Sequence, residues 1–566
     1  MSNHLEMPAW ARRMSEKYYS RTIALFVLTG NVHDLVPMDG GFAPLPEYLM
    51  QTLFAQRDIV ISYDRGTGLQ FAKPAMQADF ARALEGYDAF HGTTYARGLP
   101  RNPDTMLSVL GSYVRTRIAD NKKLALVINF AETIAPAGEV SGMSTEDRNS
   151  QVILKRWAQD PALLRADVTI CLVAENLSEL NQSLLQNPAV ATIQIPLPDE
   201  AERLQFVRAQ TVTQPLPPGS DATPEFIAAI SAGLKRVHLR TLLQHAHENQ
   251  EPLTVEFLTA RKKELIEAES GGLLEFVQTR FNLTMVAGLE AAKKKLHDAA
   301  AALRLGRLDI LPMGYVICGP VGTGKTFLAT CFAGEVGVPA VMLKNFRSMW
   351  QGVTEANLER VLNLLRAMGP IVVVVDEADA QLGDRASSGD SGVSNRVFAQ
   401  IAQFMGNTEL RGKVIWFLLT CRPDLLPVDL KRQGRAEEHI ALFYPETPED
   451  RLAILRAMQK KSKLTALGEE VERYFLEHTV ALSGADVEAI LVRSRMIAAT
   501  ANREAVAVED LKAAIDDFIP PSYPDEIELQ NLAAVLECTS RSLLPEKYRA
   551  MDRAAIMRRA AELNLQ

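Results

Sequence analysis

YVICGPVGTGKTFLATCFAGEVG, residues 315–337, decides the fold. A strand-sized apolar run, YVICG, passes into GPVGTGKT (319–326) and then into an apolar helical segment, the strand, loop and helix that a phosphate-binding loop requires. Gly319, Gly322 and Gly324 let the backbone wrap closely, so successive N–H groups and the start of the helix face a phosphate chain. Pro320, Val321, Thr323 and Phe327 fill out the contacting stretch. Lys325 is placed to reach the β and γ phosphates, and the Thr326 hydroxyl to hold Mg²⁺. ATP with Mg²⁺ is the expected ligand.

Further along, IVVVVDEAD (371–379) reads as a buried strand whose acids emerge where the sheet ends, beside the phosphate loop. Asp376 is expected in the metal shell with Thr326, and Glu377 is expected to orient or deprotonate an attacking water. Working backward, the same pattern occurs a second time. LALVINFAET (124–133) lies under IVVVVDEADA (371–380), with Asn129 under Asp376, and DVTICLVAENLSEL (167–180) lies under KVIWFLLTCRPDLL (413–426). ERLQFVRA (202–209) matches DRLAILRA (450–457). Short Val, Ile and Leu runs alternate with helix-period segments in both halves, the mark of a mostly parallel sheet covered on both faces. The expected fold is therefore α/β, a P-loop sheet with helices on both faces and a small helical lid domain, preceded by a degenerate copy of the same unit. The expected order is a degenerate α/β domain over 1–200, a small helical domain and linker over 201–275, the active α/β domain over 276–445, a helical lid over 446–520 and a helical tail over 521–566.

The first half keeps the pattern without the chemistry. It contains no GxxxxGK[ST], and Asn129 and Phe130 stand where the two acids are needed. GTG at 66–68 has no lysine behind it and reads as a strand-end turn, and Asn31, His33 and Asp34 in TGNVHDL read as turn chemistry after a strand. Arg236, Val237 and His238 correspond to Gly484, Ala485 and Asp486.

Composition narrows the partners. Across 566 residues, 61 Lys and Arg stand against 69 Asp and Glu, a net charge of −8 that weighs against a nucleic-acid partner. The 47% hydrophobic and 23% charged residues are ordinary for a folded chain. The five cysteines are far apart, form no CxxC and suit buried thiols in a reducing compartment. Apolar runs such as Ile371–Val375 are strand-sized, well short of the roughly 20 residues needed to span a bilayer, so no membrane association and a cytoplasmic location are expected.

Residues 284–520 resemble the AAA family of P-loop ATPases. MVAGLEAAKKKL (285–296) is similar to that family's segment beside the adenine, and SMWQGVTEAN (348–357) to its first pore loop, with Trp350, Gln351 and Gly352 as client contacts. LSGADVEAIL (482–491) resembles the small-domain helix start whose Gly484 and Ala485 lie near the nucleotide. DLKRQGRAEEHI (429–440) resembles the stretch that offers arginine fingers to a neighbouring subunit, with Arg435 in the first finger's place. The resemblance implies a homo-oligomeric ring, a hexamer. Two positions depart from the family pattern: Glu438 stands where a second arginine is usual, and Cys421 where the sensor after the fourth strand is usually Asn, leaving Thr420 as a substitute sensor. The degenerate first half joined through KKELIEAESGGLLEFV also resembles the plastid and cyanobacterial open-reading-frame AAA proteins.

The resemblance implies an ATP-hydrolysing ring that remodels or threads a protein client, with Trp350 gripping polypeptide. Slow turnover from Cys421 and Glu438 would instead suit a nucleotide-dependent regulatory or scaffold protein. A nucleic-acid motor or loader is the third class, disfavoured by the acidic balance. Proteolysis lacks its motif, since no HExxH occurs.

Overall fold

The computed structural model describes the chain apart from residues 1–6, 21, 139, 221, 278–280, 345–354, 383–392, 463, 465–467, 480–481, 521–522 and 565–566. It divides into two compact units, residues 1–270 with 353–367, and residues 271–352 with 368–566.

The first unit is built on strands β1 (Leu25–Gly30), β2 (Ile59–Asp64), β3 (Gly68–Phe71), β4 (Leu124–Ile128), β5 (Val168–Val173) and β6 (Val190–Ile195). They lie in the order β3-β2-β4-β5-β1-β6. Only the edge strand β3 runs antiparallel to its neighbour. Alternate residues serve opposite faces: Leu25 and Val27 pack with Leu107 and Leu110, whereas Phe26 and Leu28 pack with Trp10 and Met14. Both faces are therefore dry, which is why these strands read as continuous apolar runs. Helices α1 (Glu200–Thr213), α2 (Pro224–Ile230), α3 (Arg236–Asn249) and α4 (Val255–Glu269) follow. The start of α1 is fixed by a capping box in which the Asp199 carboxylate accepts from Glu202 N–H at 2.8 Å and Glu202 returns an acceptor to Asp199 N–H.

The second unit contains β7 (Leu274–Val277), β8 (Gly314–Cys318), β9 (Ala340–Leu343), β10 (Ile371–Val375), β11 (Val414–Thr420) and β12 (Glu438–Ala441), in the order β12-β8-β11-β10-β9-β7. Every residue of β8, β10 and β11 is buried. Helix α5 (Glu290–Arg304) precedes β8, and α6 (Lys325–Val336) follows it. A separate apolar cluster including Leu455, Phe475, Ile490 and Leu511 holds together α7 (Pro448–Lys461), α8 (Glu469–His478), α9 (Gly484–Thr500) and α10 (Val508–Asp517). The tail forms α11 (Pro524–Glu537) and α12 (Arg553–Asn564), and α11 lies against β12.

Read from its antiparallel edge, each sheet has the same plan. Strands β2, β4, β5, β1 and β6 occupy the places of β9, β10, β11, β8 and β12. The edge itself is filled differently: β3 follows its partner β2 through a turn at 65–67, while β7 comes from ahead of its whole sheet. GTG at 66–68 thus lies at a hairpin, where the Asp64 carboxylate accepts from Gly66 N–H at 2.8 Å. Mixed α/β architecture with parallel-dominant sheets is what the alternation of apolar runs and helical periods implied.

Candidate nucleotide site

Strand β8 delivers residues 319–326 to the sheet end between β11 and β12. Gly319 has φ 142°, and a Cβ there would fall 2.1 Å from the Leu442 carbonyl oxygen, so no side chain fits. At Gly322 a Cβ would meet the Ser483 side chain at 2.7 Å. Ser483 is the N-cap of α9, with Gly484 and the exposed Ala485 next in line, so the loop and that helix start share one cradle. The Ser483 hydroxyl accepts from Asp486 N–H at 3.1 Å, which fixes the cap.

Gly324 is the N-cap of α6, and Lys325 is its first residue. Lys325 Nζ donates to the carbonyls of Gly319 (2.8 Å) and Pro320 (2.9 Å) and to Cys421 Sγ (3.2 Å). The charge is thus held inside the loop. Thr326 Oγ1 donates to Asp376 Oδ2 at 2.8 Å, joining the loop to the end of β10. A hydroxyl and a carboxylate at this separation are the hard oxygen donors that Mg²⁺ prefers, so the residues fit that ion. Thr323 Oγ1 donates to Pro320 O at 2.9 Å, and the half-buried Phe327 ring packs at the edge of the core beside the exposed Phe281.

Glu377 follows Asp376 with φ 47°, a left-handed backbone that an ordinary residue adopts at a cost. Its N–H donates to Asp376 Oδ1 at 2.9 Å, and its carbonyl accepts from Gln381 N–H at 3.0 Å. The strained corner projects the exposed Glu377 side chain off the sheet end. Thr420 Oγ1 donates to Asp379 at 2.6 Å, so Cys421 is the neighbouring group that touches Lys325. Arg435 is bonded within its own segment, Nη1 donating to Asp429 O at 2.6 Å. Glu438 pairs with Lys295 at 2.8 Å. Trp350, Gln351 and Gly352 lie outside the described residues.

Beside the phosphate loop, a cavity of about 430 Å³ opens between residues 287–292, 443–447, Asp450 and Ile454 of α7, and the tail residues 543–547. Tyr444 borders it; burial, aided by Asp486, pushes its hydroxyl up to about 12, so it stays a donor at ordinary pH. That hydroxyl donates to Val321 O at 2.7 Å. No local sequence pattern places Tyr444 or the helical tail at the loop.

A family model described as "ATPase family associated with various cellular activities (AAA)" matches residues 315–444, the stretch that carries this geometry. "AAA+ chaperone, N-terminal Rossmann-like domain" matches residues 2–196, and "AAA+ chaperone, second helical domain" residues 201–271. Residues 315–444 form an AAA domain. The chain is similar to a Cell division cycle protein 48 homolog of Archaeoglobus fulgidus, 27% identical over an alignment of 412 residues that covers 67% of this chain and 55% of that one. It is also similar to an ATP-dependent zinc metalloprotease FtsH of Methylococcus capsulatus, 31% over 274 residues, 46% and 41% of the two chains. Protein mac-1 of Caenorhabditis elegans is 33% identical over 210 residues, 36% of this chain and 25% of that one. The chain thus spans about half, or less, of the length of these relatives. Among the described residues no helix is long and apolar enough to cross a membrane, and no group of three or more His, Cys, Asp or Glu is arranged to hold a metal.

Within the AAA frame, the first unit keeps the scaffold and replaces the chemistry. Gly30 ends β1 as Gly319 follows β8, with φ 92° and a virtual Cβ 2.6 Å from the Ile195 carbonyl oxygen. A tight turn, Asn31–Asp34, then takes the place of the phosphate loop. Asp34 Oδ1 accepts from Val237 N–H at 2.9 Å, at the start of α3, where the second unit brings α9 to its loop. Arg236 lies 3.8 Å from Asp34 and donates to Leu35 O at 3.1 Å, and both side chains are almost fully buried. Asn129 donates to Ser62 Oγ at 2.8 Å. Phe130 stacks on His33, ring centroids 5.8 Å apart.

Proposed function

We propose that the second unit binds ATP with Mg²⁺ and hydrolyses it to ADP and phosphate, and that copies of the chain assemble into a hexameric ring that remodels or threads a protein client. The observation that carries the chemical part is the 2.8 Å bond joining Thr326 to Asp376 beside Lys325, with Glu377 at a strained corner one residue on. Lys325 and the loop N–H groups would hold the β and γ phosphates; Gly484 and Ala485 at the start of α9 would close over them. Thr326 and Asp376 would hold the metal, whose charge would offset that of the phosphates. Glu377 would align a water in line with the γ phosphate and accept its proton as the phosphoryl group leaves ADP.

Arg435 would act on the nucleotide of a neighbouring copy once its bond to Asp429 O is exchanged for phosphate. A guanidinium so placed is worth roughly 10³ to 10⁵ in rate, which would make hydrolysis depend on assembly. Trp350, Gln351 and Gly352 would line the channel and contact the client. The similarity to a Cell division cycle protein 48 homolog and to ATP-dependent zinc metalloproteases supports an energy-using role on proteins. These 566 residues contain no HExxH, so they hold no motif of their own for zinc-dependent peptide cleavage. The first unit would serve as a platform without turnover.

A regulatory or scaffold role has its own support. Cys421 touches Lys325, Glu438 is tied to Lys295, and Arg435 is engaged at home, three features that favour slow hydrolysis. The ATPase rate per chain, measured against protein concentration with mass determined in parallel, separates the two. A rate that climbs with assembly supports the ring; a flat rate supports the switch.

A further inference from the structure

We infer that the C-terminal tail is a working part of the nucleotide site, with Gln530 positioning the phosphate-binding loop through the backbone of Val321. The inference rests on the assignment of residues 319–326 to phosphate binding. Gln530 sits on α11 and is buried, 8% exposed. Its Oε1 accepts from Val321 N–H at 3.1 Å, while its Nε2 donates to Glu526 Oε1 at 2.9 Å. The Val321 carbonyl accepts from Tyr444 at 2.7 Å. Both backbone polar groups of the third residue of GPVGTGKT are thereby held, one by the tail and one by the segment after β12. A loop whose amides must converge on a phosphate loses less freedom on binding when one of its residues is already fixed. The Val321 side chain is 59% exposed, so it adds little anchoring by packing.

The tail is fastened well enough to act as such a brace. Glu537, at the end of α11, pairs with Lys431 at 2.8 Å and with His439 at 3.0 Å. Thr539 N–H donates to the His439 carbonyl, and His439 N–H donates to Thr539 Oγ1 at 3.0 Å, so the tail is stitched to the backbone of β12. Arg422, next to Cys421, reaches Asn564 of α12 at 2.9 Å. Residues 543–547 wall the 430 Å³ cavity that Tyr444 borders, and Lys547 pairs with Glu446 at its rim. The tail therefore touches the site twice, at the loop through Gln530 and at the cavity through residues 543–547. A tail that only covered apolar surface would need neither contact.

The test uses the full chain and a fluorescent ADP analogue. Gln530→Met keeps length and shape but removes the acceptor; the loss of one hydrogen bond should raise the dissociation constant about three- to tenfold. KM for ATP should rise in step while kcat at saturation holds, because the phosphates fix the loop once bound. The exchange Glu526→Gln with Gln530→Glu keeps one acceptor facing Val321 and one donor facing the acceptor, and should recover most of the affinity. The melting temperature without nucleotide should stay close to that of the unaltered chain in both variants. Unchanged affinity in Gln530→Met would overturn the inference. So would a loss of affinity that tracks a falling melting temperature and is not recovered by the exchange, since that marks a merely structural residue. Failure of the unaltered chain to bind the analogue would instead remove the phosphate-loop assignment itself, and the inference with it.

Discussion

Phe130 and Glu377 close corresponding strands with the same left-handed backbone, φ 50° and 47°. In one unit this corner carries an exposed carboxylate one residue after the Asp376 that holds Thr326; in the other it carries a ring stacked on His33. The same backbone strain thus carries different side chains in the two units. Glu377→Gln should leave ATP binding intact and slow hydrolysis by about 100-fold or more, the usual worth of a general base. Single-turnover phosphate release checks this, and an unaltered rate would remove Glu377 from the reaction. Asn129→Asp with Phe130→Glu in a Lys325→Ala background should yield no ATPase, because the acids return without a loop.

Much of this was legible from the chain alone, for a physical reason. Phosphate binding needs contiguous glycines, a lysine and a hydroxyl, so GPVGTGKT carries its own meaning. Buried parallel strands need continuous apolar runs, so the repeat of LALVINF and IVVVVDE was visible. What stayed hidden depends on residues brought together from far apart. Asp34 meets Val237, and Val321 meets Gln530, through folding that no local pattern encodes. The edge strands β3 and β7 fill one place from different parts of the chain, so the repeat could not reveal them. Asn31 and Asp34 read as turn residues and do form a turn, but that Asp34 also caps a helix required the fold.

Asp34 and Arg236 form a buried pair at the start of α3. Arg236 keeps Glu202 at 3.3 Å when Asp34 is removed, but Val237 N–H and the Asn31 amide lose their acceptor, a cost of about 1 to 3 kcal/mol. Asp34→Ala should therefore lower the stability of the first unit by an amount in that range while ADP binding by the second unit persists. Thermal melting followed by limited proteolysis reads this; a variant as stable as the original would show the pair to be passive.

Cys421 stands against the Lys325 ammonium, where the family pattern has an amide. An Asn there could both accept from the lysine and donate to phosphate or water, which a thiol does poorly. Cys421→Asn should raise kcat about three- to tenfold, the worth of one added hydrogen bond, with little change in nucleotide affinity. Steady-state kinetics decides it, and a fall in rate would mean that the thiol suits the site as it is.

Tail docking should depend on pH through His439 and Glu537. Burial disfavours a charged His439, but the hydrogen bond and charge of Glu537 outweigh it and raise its pKa above 6.5. Burial likewise disfavours a charged Glu537, yet His439 and Lys431 hold its pKa below 4.5. A raised histidine contributes stability in full below 6.5 and loses it as pH climbs through the folded value; a lowered carboxylate contributes above 4.5 and loses it in acid. Docking should accordingly be firmest between about pH 4.5 and 6.5 and weaken above neutrality. Hydrogen exchange of α11 across this range measures it, and His439→Gln should flatten the alkaline side. An α11 whose protection rises with pH above neutrality would contradict the sign.

One nucleotide site per chain, in the second unit, is the claim on which the rest depends. Calorimetric titration of ATP into Glu377→Gln protein counts sites without turnover. The account predicts one ATP per chain, and none when Lys325→Ala is added. Two per chain, or one that survives Lys325→Ala, would place binding elsewhere and contradict it.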